Sequence, residues 1–337
     1  MTQIQALVVE RPNRISWISK ELEVVAGDEI LVAPKAVGLC GTDLEIISGA
    51  IDPDYVSYPI ALGHEWCGTV ADNGPLQGAL VAVEGIIPCW KCDACRSGET
   101  NLCETYQEIG FTRDGAAATL ISVPSSLVHP LGESVTIEQG CLIEPCAVVY
   151  RALGRVRPGV NEKVLVVGDG TIALLATHLL ALFSPARIDM LGLRKAQNSL
   201  AALAGAASFF TEPDEVKREY DLVIEAAGSP GAVAAAISKV RRGGSVLLLG
   251  LAGTGKQVPL EIDELVNGDL KIFGSFSYSS SAYSQVVKLL NSSLISPEFV
   301  ITHRFGIAEW ERAIETLRSV EGPRGKVVLE LDTLTVD

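Results

Sequence analysis

The sequence is poor in positive charge: 27 lysines and arginines stand against 41 aspartates and glutamates, a net charge of -14. Such a chain is a poor partner for a phosphate backbone or an anionic bilayer, so neither nucleic acid nor membrane is expected to bind it. Long apolar runs are missing as well. The most apolar helical stretch, Ile172 to Phe183, is interrupted by Thr177 and His178 and falls short of the ~18 residues that a membrane span needs. The first residues hold no long apolar h-region, and Arg11 and Arg14 follow the apolar residues rather than precede them, so cytoplasmic residence is the expectation. What is present is ample core material. With 48% hydrophobic and 20% charged residues over 337 positions, the chain is long and apolar enough for two folded domains.

Eight cysteines remain to be explained, and four of them, Cys89, Cys92, Cys95 and Cys103, fall within 15 residues. Thiols in a reducing compartment at this spacing favour a metal over disulfides. Four thiolates around zinc close its coordination shell, so such a lobe holds a loop in shape but cannot polarise a substrate. An iron–sulfur run would bring the last thiol closer and follow it with proline; here Glu104 follows Cys103. Cys67, Cys141 and Cys146 read as small buried hydrophobes.

Residues 1–150 read as short strands broken by turn residues: Ile4–Val9, Glu29–Val37, Cys67–Ala71, Leu80–Val83 and Thr119–Val123, with Asn73-Gly74-Pro75 and Asp114-Gly115 among the breaks. The expected unit is antiparallel and barrel-like. Over residues 151–285 the texture changes to apolar runs alternating with Ala- and Leu-rich helices, the rhythm of a doubly wound parallel sheet, so the fold class is α/β. Residues 286–337 are mixed, end in a strand at Lys326–Leu331, and are expected to rejoin the first domain.

In the second region the strand Lys163–Val167 runs into Gly168-Asp169-Gly170-Thr171-Ile172-Ala173, a G-x-G-x-x-A loop opening a helix. Gly168 allows the turn, Gly170 admits a pyrophosphate to the backbone of Thr171 and Ile172, and small Ala173 lets helix and strand approach. A dinucleotide site is therefore expected. The acid that would bind the ribose of NAD about 20 residues on is missing. Asp189 lies inside the next strand, while Gly192, Arg194 and Lys195 follow its end. Two cations there suit a 2′-phosphate, which predicts NADP over NAD.

Three segments of the first region carry zinc donors: Cys40 in Gly38-Leu39-Cys40-Gly41-Thr42-Asp43, His64 and Glu65 in Gly63-His64-Glu65, and Glu144 before Pro145. A catalytic zinc takes three protein donors and leaves a position for water or substrate, lowering the pKa of a bound hydroxyl. Thr42 is placed to pass the proton outward, and Asp43 to hydrogen-bond the far nitrogen of His64. His129, His178 and His303 lack such neighbours and read as structural.

The order of these motifs, with the four-cysteine lobe between them and the glycine loop after, resembles the zinc-dependent medium-chain alcohol dehydrogenase family over essentially the whole chain. It looks most like the polyol and sugar branch that contains sorbitol, threonine and glucose dehydrogenases. The resemblance implies a GroES-like, mainly β catalytic domain, a Rossmann coenzyme domain, and a homodimer or homotetramer. It implies catalytic zinc (Zn2+) on Cys40, His64 and either Glu65 or Glu144, structural zinc on the four thiols, and hydride transfer between a secondary alcohol of a polyol or sugar and the nicotinamide. It also assigns Ala227 and Gly250 to the coenzyme site. Glu45 stands where many polyol and threonine dehydrogenases carry a histidine of the proton path, as in glucose dehydrogenases. Three alternatives stay open: an NAD-dependent alcohol or threonine-type dehydrogenase, a metal-free reductase of the same superfamily, and a catalytically silent nucleotide-binding structural protein.

Overall fold

A computed structural model of the chain describes residues 2–24 and 28–331. It divides into two compact units: Met1–Glu144 with Ser279–Ser319 and Lys326–Asp337, and Pro145–Tyr278 with Val320–Gly325. The short segment Val320–Gly325 thus joins the second unit, although the helix Trp310–Arg318 and the strand Lys326–Glu330 on either side of it belong to the first.

The first unit is built on antiparallel pairing. The strands Gln3–Arg11 and Arg14–Glu21 form a hairpin. The long strand Glu29–Leu39 pairs antiparallel with three others: Glu65–Val70, Ile121–Pro124 and the distant Lys326–Glu330. Its last residues, Val37 and Leu39, are buried among Leu7, Ile46, Trp66, Val83 and Leu329. Each such side chain contributes roughly 1.5–3 kcal/mol by leaving water, so this core fixes the register around the end of the strand, where Cys40 follows.

The second unit holds six parallel strands in the order Ser208–Phe210, Arg187–Leu191, Lys163–Val167, Tyr220–Glu225, Val240–Leu248, Lys271–Gly274. The order reverses direction beside the first of these strands in the chain, Lys163–Val167, the usual place for a nucleotide in such sheets. Val164, Leu165 and Val166 are wholly buried, as a parallel strand covered on both faces requires. Ser229 caps the helix Pro230–Lys239 by accepting the Ala232 N–H at 3.2 Å, with Pro230 at the first helical position.

Two expected strands shift by about two residues, Cys67–Ala71 to Glu65–Val70 and Thr119–Val123 to Ile121–Pro124, as pairing with the strand Glu29–Leu39 sets their bounds. The strand after the helix Pro230–Lys239 starts at Val240, which pairs with Tyr220, and an irregularity absorbs the residues before Ser245 pairs with Leu222. Among the described residues no helix is long and apolar enough to cross a membrane.

Candidate active site

The strand Glu29–Leu39 delivers Cys40 directly to the start of the helix Gly41–Ser48. Asp43, in the first turn, accepts the Cys40 backbone N–H through Oδ2 at 2.7 Å, which satisfies one of the donors a helix start leaves over. The other oxygen, Oδ1, stands 3.6 Å from Nδ1 of His64. His64 reaches this place because Gly63 adopts φ +106° and packs where a Cβ would lie 2.7 Å from the Ala117 nitrogen. With Nδ1 turned to Asp43, Nε2 points towards Glu65 Oε1 at 4.0 Å. Cys40 Sγ, a ring nitrogen of His64 and a carboxylate oxygen of Glu65 all lie within 4.8 Å of one another.

The donor set fits a divalent cation by its electrostatics. Burial opposes a charged His64, yet Asp43 and then Cys40 outweigh it and hold the imidazole pKa well above its usual value. A pocket that draws a proton this strongly offers the anionic donors that a metal takes by displacing protons. Of the two glutamates left open by the sequence, Glu65 stands in the group of three donors and Glu144 outside it. Glu144 is buried in the first turn of the helix Ile143–Val156. Burial, then the Glu65 charge, pushes its pKa up to about 8.

Glu65 has a partner that sequence reasoning missed. Lys326 Nζ donates to its Oε1 at 2.7 Å, and both side chains are buried. The pairing explains Gly38: register sets it opposite Glu65 on one side and Val328 on the other, and a Cβ there would lie 2.7 Å from Glu65 Oε2 and 3.3 Å from Lys326 Cδ. The only hint in the sequence was a lysine at the head of the apolar strand Lys326–Glu330. Tyr106 and Glu108 were missed too. The Tyr106 hydroxyl donates to the Glu108 carboxylate, whose pKa burial raises while Tyr106 and then His64 pull it down. Phe111, just beyond, tilts at 52° against the His64 ring with centroids 5.0 Å apart.

The remaining expected residues fall as follows. The Cys40 thiol lies 3.6 Å from the Thr42 hydroxyl, in donor geometry. Glu45 is exposed on the same helix. The four thiols of Cys89, Cys92, Cys95 and Cys103 form a second group within 4.8 Å, with the Cys92 N–H donating to Cys89 Sγ at 3.3 Å and the Cys89 N–H to Cys103 Sγ at 3.2 Å. Backbone N–H groups of Lys91 and Cys92 draw the Cys89 pKa down to about 6, and burial pushes Cys95 up to about 12. A cation would be needed to hold all four as thiolates, so this set also fits zinc.

In the second unit the Gly168 N–H donates to Leu191 O at 2.8 Å, joining the glycine loop to the strand end that precedes Gly192. Gly170 caps the helix Thr171–Leu180, and Ala173 is wholly buried. The buried Glu225 carboxylate accepts the Ala227 and Gly228 N–H groups at 2.9 and 2.7 Å, while its carbonyl accepts Leu249 and Gly250. Ala227 and Gly250 are thereby tied to one residue. Asp189 is buried inside its strand, bonded to Arg187 at 2.7 Å and to the Tyr220 hydroxyl at 3.0 Å. Lys195 is exposed, and Arg194 is ion-paired with Asp169 at 2.8 Å.

Comparison with known proteins gives consistent results along the chain. Residues 26–133 match the alcohol dehydrogenase GroES-like domain, and residues 137–330 match the glucose dehydrogenase C-terminus. L-galactonate-5-dehydrogenase of Escherichia coli K12 is 30% identical, with 91% of this chain and 93% of that protein covered. Sorbitol dehydrogenase of Bacillus subtilis 168 is 28% identical over 93% of each. Among solved structures, galactitol-1-phosphate dehydrogenase of Escherichia coli superposes with a TM-score of 0.86 at 26% identity, covering 97% of this chain and 100% of that one.

Proposed function

The chain belongs to the zinc-type medium-chain alcohol dehydrogenases, in their polyol branch, and from that premise we propose that it interconverts a secondary alcohol of a polyol or sugar and its carbonyl with NADP(H). The observation that carries this reading is the Cys40, His64 and Glu65 donor group with Asp43 behind the histidine. Zinc held by those three side chains supplies Lewis acidity to a substrate hydroxyl, and the dinucleotide supplies the hydride acceptor or donor.

The residues of the chain do the rest. Asp43 fixes the ring of His64, because a carboxylate on Nδ1 selects the tautomer whose Nε2 lone pair faces outward. Lys326 donates to the buried Glu65 and orients its carboxylate. Thr42, beside Cys40, opens the path by which the hydroxyl proton leaves. Burial, then the Glu65 charge, pushes the Glu144 pKa up to about 8, which favours a neutral acid over a further anion beside Glu65. The thiol lobe has no free position for a substrate and serves structure.

In the second unit the N-terminus of the helix Thr171–Leu180 receives the pyrophosphate. Gly192 and Arg194, with exposed Lys195, favour a 2′-phosphate over a free ribose hydroxyl. The enzyme acts in the cytoplasm as a homodimer or homotetramer. An edge strand, Lys271–Gly274, is paired on one side only among the described residues, and exposed Ile262, Val266 and Ile272 supply apolar surface for a second copy.

A panel of alcohols, polyols and aldoses, followed at the absorbance of reduced nicotinamide with NADP⁺ or NAD⁺ at equal subsaturating concentration, tests the reading. Turnover of a polyol or sugar, faster with NADP⁺ and lost on chelation, is expected. Chelation without effect would reject the metal role, and a clear preference for NAD⁺ would reject the coenzyme assignment.

A further inference from the structure

Arg194 does not stand alone at the end of the strand Arg187–Leu191. The Asp169 carboxylate lies beneath Gly192, where a Cβ would come within 2.6 Å of Asp169 Cβ and 2.9 Å of Oδ2. Oδ2 accepts the backbone N–H groups of Leu193 and Arg194 at 3.0 and 2.9 Å. Oδ1 accepts Arg194 Nε at 3.2 Å and Nη2 at 2.8 Å. Four donors use the capacity of a carboxylate, so this acid has nothing left for a ribose hydroxyl. Its charge goes to the guanidinium instead.

The wholly buried Gln197 extends the network. Its amide N–H₂ donates to the Asp169 carbonyl and, at 2.9 Å, to the Arg324 carbonyl, while its Oε1 accepts the Arg324 N–H at 2.7 Å. Both backbone groups of Arg324 are therefore bolted to the residue that also holds Asp169. Here lies the reason for the membership of Val320–Gly325 in the second unit. The guanidinium of Arg324 is close enough to feel its neighbours: burial, then the like charge of Arg194, lowers its pKa against the pull of Asp169. Asp169 thus meets the charge of Arg194 directly and that of Arg324 at longer range, and Arg194 Nη1 is buried with no hydrogen-bond partner among the described residues. A desolvated donor without an acceptor is costly, and a phosphate monoester dianion would satisfy it while offsetting the repulsion of the two cations.

We infer that Asp169 is a positioning residue that aims Arg194, and that Arg324 is a second guanidinium for the 2′-phosphate of NADP. The inference rests on the NADP preference proposed above and deepens it by naming residues that the strand-end sequence does not contain.

The test uses the full chain and two probes, 2′,5′-ADP and 5′-AMP, titrated calorimetrically, together with KM and kcat for NADP⁺ and NAD⁺. Arg324→Ala keeps the backbone bonds to Gln197. It is expected to weaken 2′,5′-ADP binding and raise the KM for NADP⁺ by about tenfold or more, with kcat, 5′-AMP binding and the KM for NAD⁺ within about twofold; Arg324→Lys should restore part of the loss. Asp169→Asn, checked for folding by its melting temperature, should raise the same KM with kcat held. If wild type prefers 2′,5′-ADP and Arg324→Ala leaves that preference unchanged, the inference is overturned while the NADP reading stands. If wild type binds 5′-AMP as tightly as 2′,5′-ADP, both are overturned.

Discussion

All four thiols of the Cys89–Cys103 lobe come from 15 consecutive residues, whereas Cys40, His64 and Glu65 draw their supports from elements spread along the first unit. In the lobe the sulfurs themselves accept the local N–H groups, from Cys92 and Cys89. The other bonds of the loop are mostly those of short helical turns, such as Arg96 N–H to the Cys92 carbonyl at 3.0 Å and Gly98 N–H to the Cys95 carbonyl at 3.0 Å, so a metal on the four sulfurs would tie these turns together. In the three-donor group the supports exist without a metal: Asp43 on His64, Lys326 on Glu65, and strand register setting Gly38 between Glu65 and Val328 with the Lys326 side chain packed over it. A local cluster folds around its ion, and a dispersed one is folded by the sheet and receives it. Removing zinc should therefore unshape the first and only silence the second.

The largest effect that would break this contrast is at His64. His64→Ala should lower kcat/KM by roughly 10⁴-fold, about 5.5 kcal/mol, with bound zinc falling from about two to about one per chain and the melting temperature nearly held. Metal analysis alongside calorimetry reads both, and a large loss of stability would erase the distinction. Lys326→Met comes next. It strands Glu65 as a buried carboxylate and should destabilise the metal-free chain by about 3–5 kcal/mol. In zinc-loaded protein the loss should be smaller, because the ion takes over as partner; equal losses in urea unfolding with and without zinc would refute that exchange.

Asp43→Asn is milder. The amide can still accept the Cys40 N–H, but its other face no longer offers an anion to Nδ1, and a drop of about 10–100-fold in activity or zinc affinity is expected. Activity that stays at the wild-type level would show that His64 needs no orienting carboxylate. The smallest effect on chemistry belongs to Cys92→Ser, which should leave turnover per folded molecule within about twofold while lowering the melting temperature more than His64→Ala does. A stable Cys92→Ser protein without activity would mean that the lobe reaches the chemistry after all.

Much of the framework was readable before any coordinates. The strand Lys163–Val167 and the loop from Gly168 to Ala173 announce themselves because apolar runs and glycine spacing are local properties. Cys40, His64 and Glu65 could be picked out by residue type, yet nothing in their spacing chose between Glu65 and Glu144; the fold groups Glu65 with Cys40 and His64. Lys326 was invisible as a partner because it lies 261 residues from Glu65. Arg194 read as a strand-end cation suited to a 2′-phosphate, and its Asp169 partner sat unremarked inside the glycine motif, where the hydrogen bonds to Arg194 and the close approach of Gly192 reveal it. The start of the strand at Val240 is set by pairing with Tyr220, a long-range contact that local propensity does not carry.

By itself, then, the chain determined which donors exist and in what order, that four thiols share one loop, and that a glycine loop opens a helix after a buried strand, since these follow from covalent spacing and hydrophobic period. Only the tertiary structure decided which glutamate joins Cys40 and His64, which cation holds it, and which acid occupies Arg194. Those choices depend on sheet register and burial, through which residues far apart in sequence share a low-dielectric interior where each charge must find a partner.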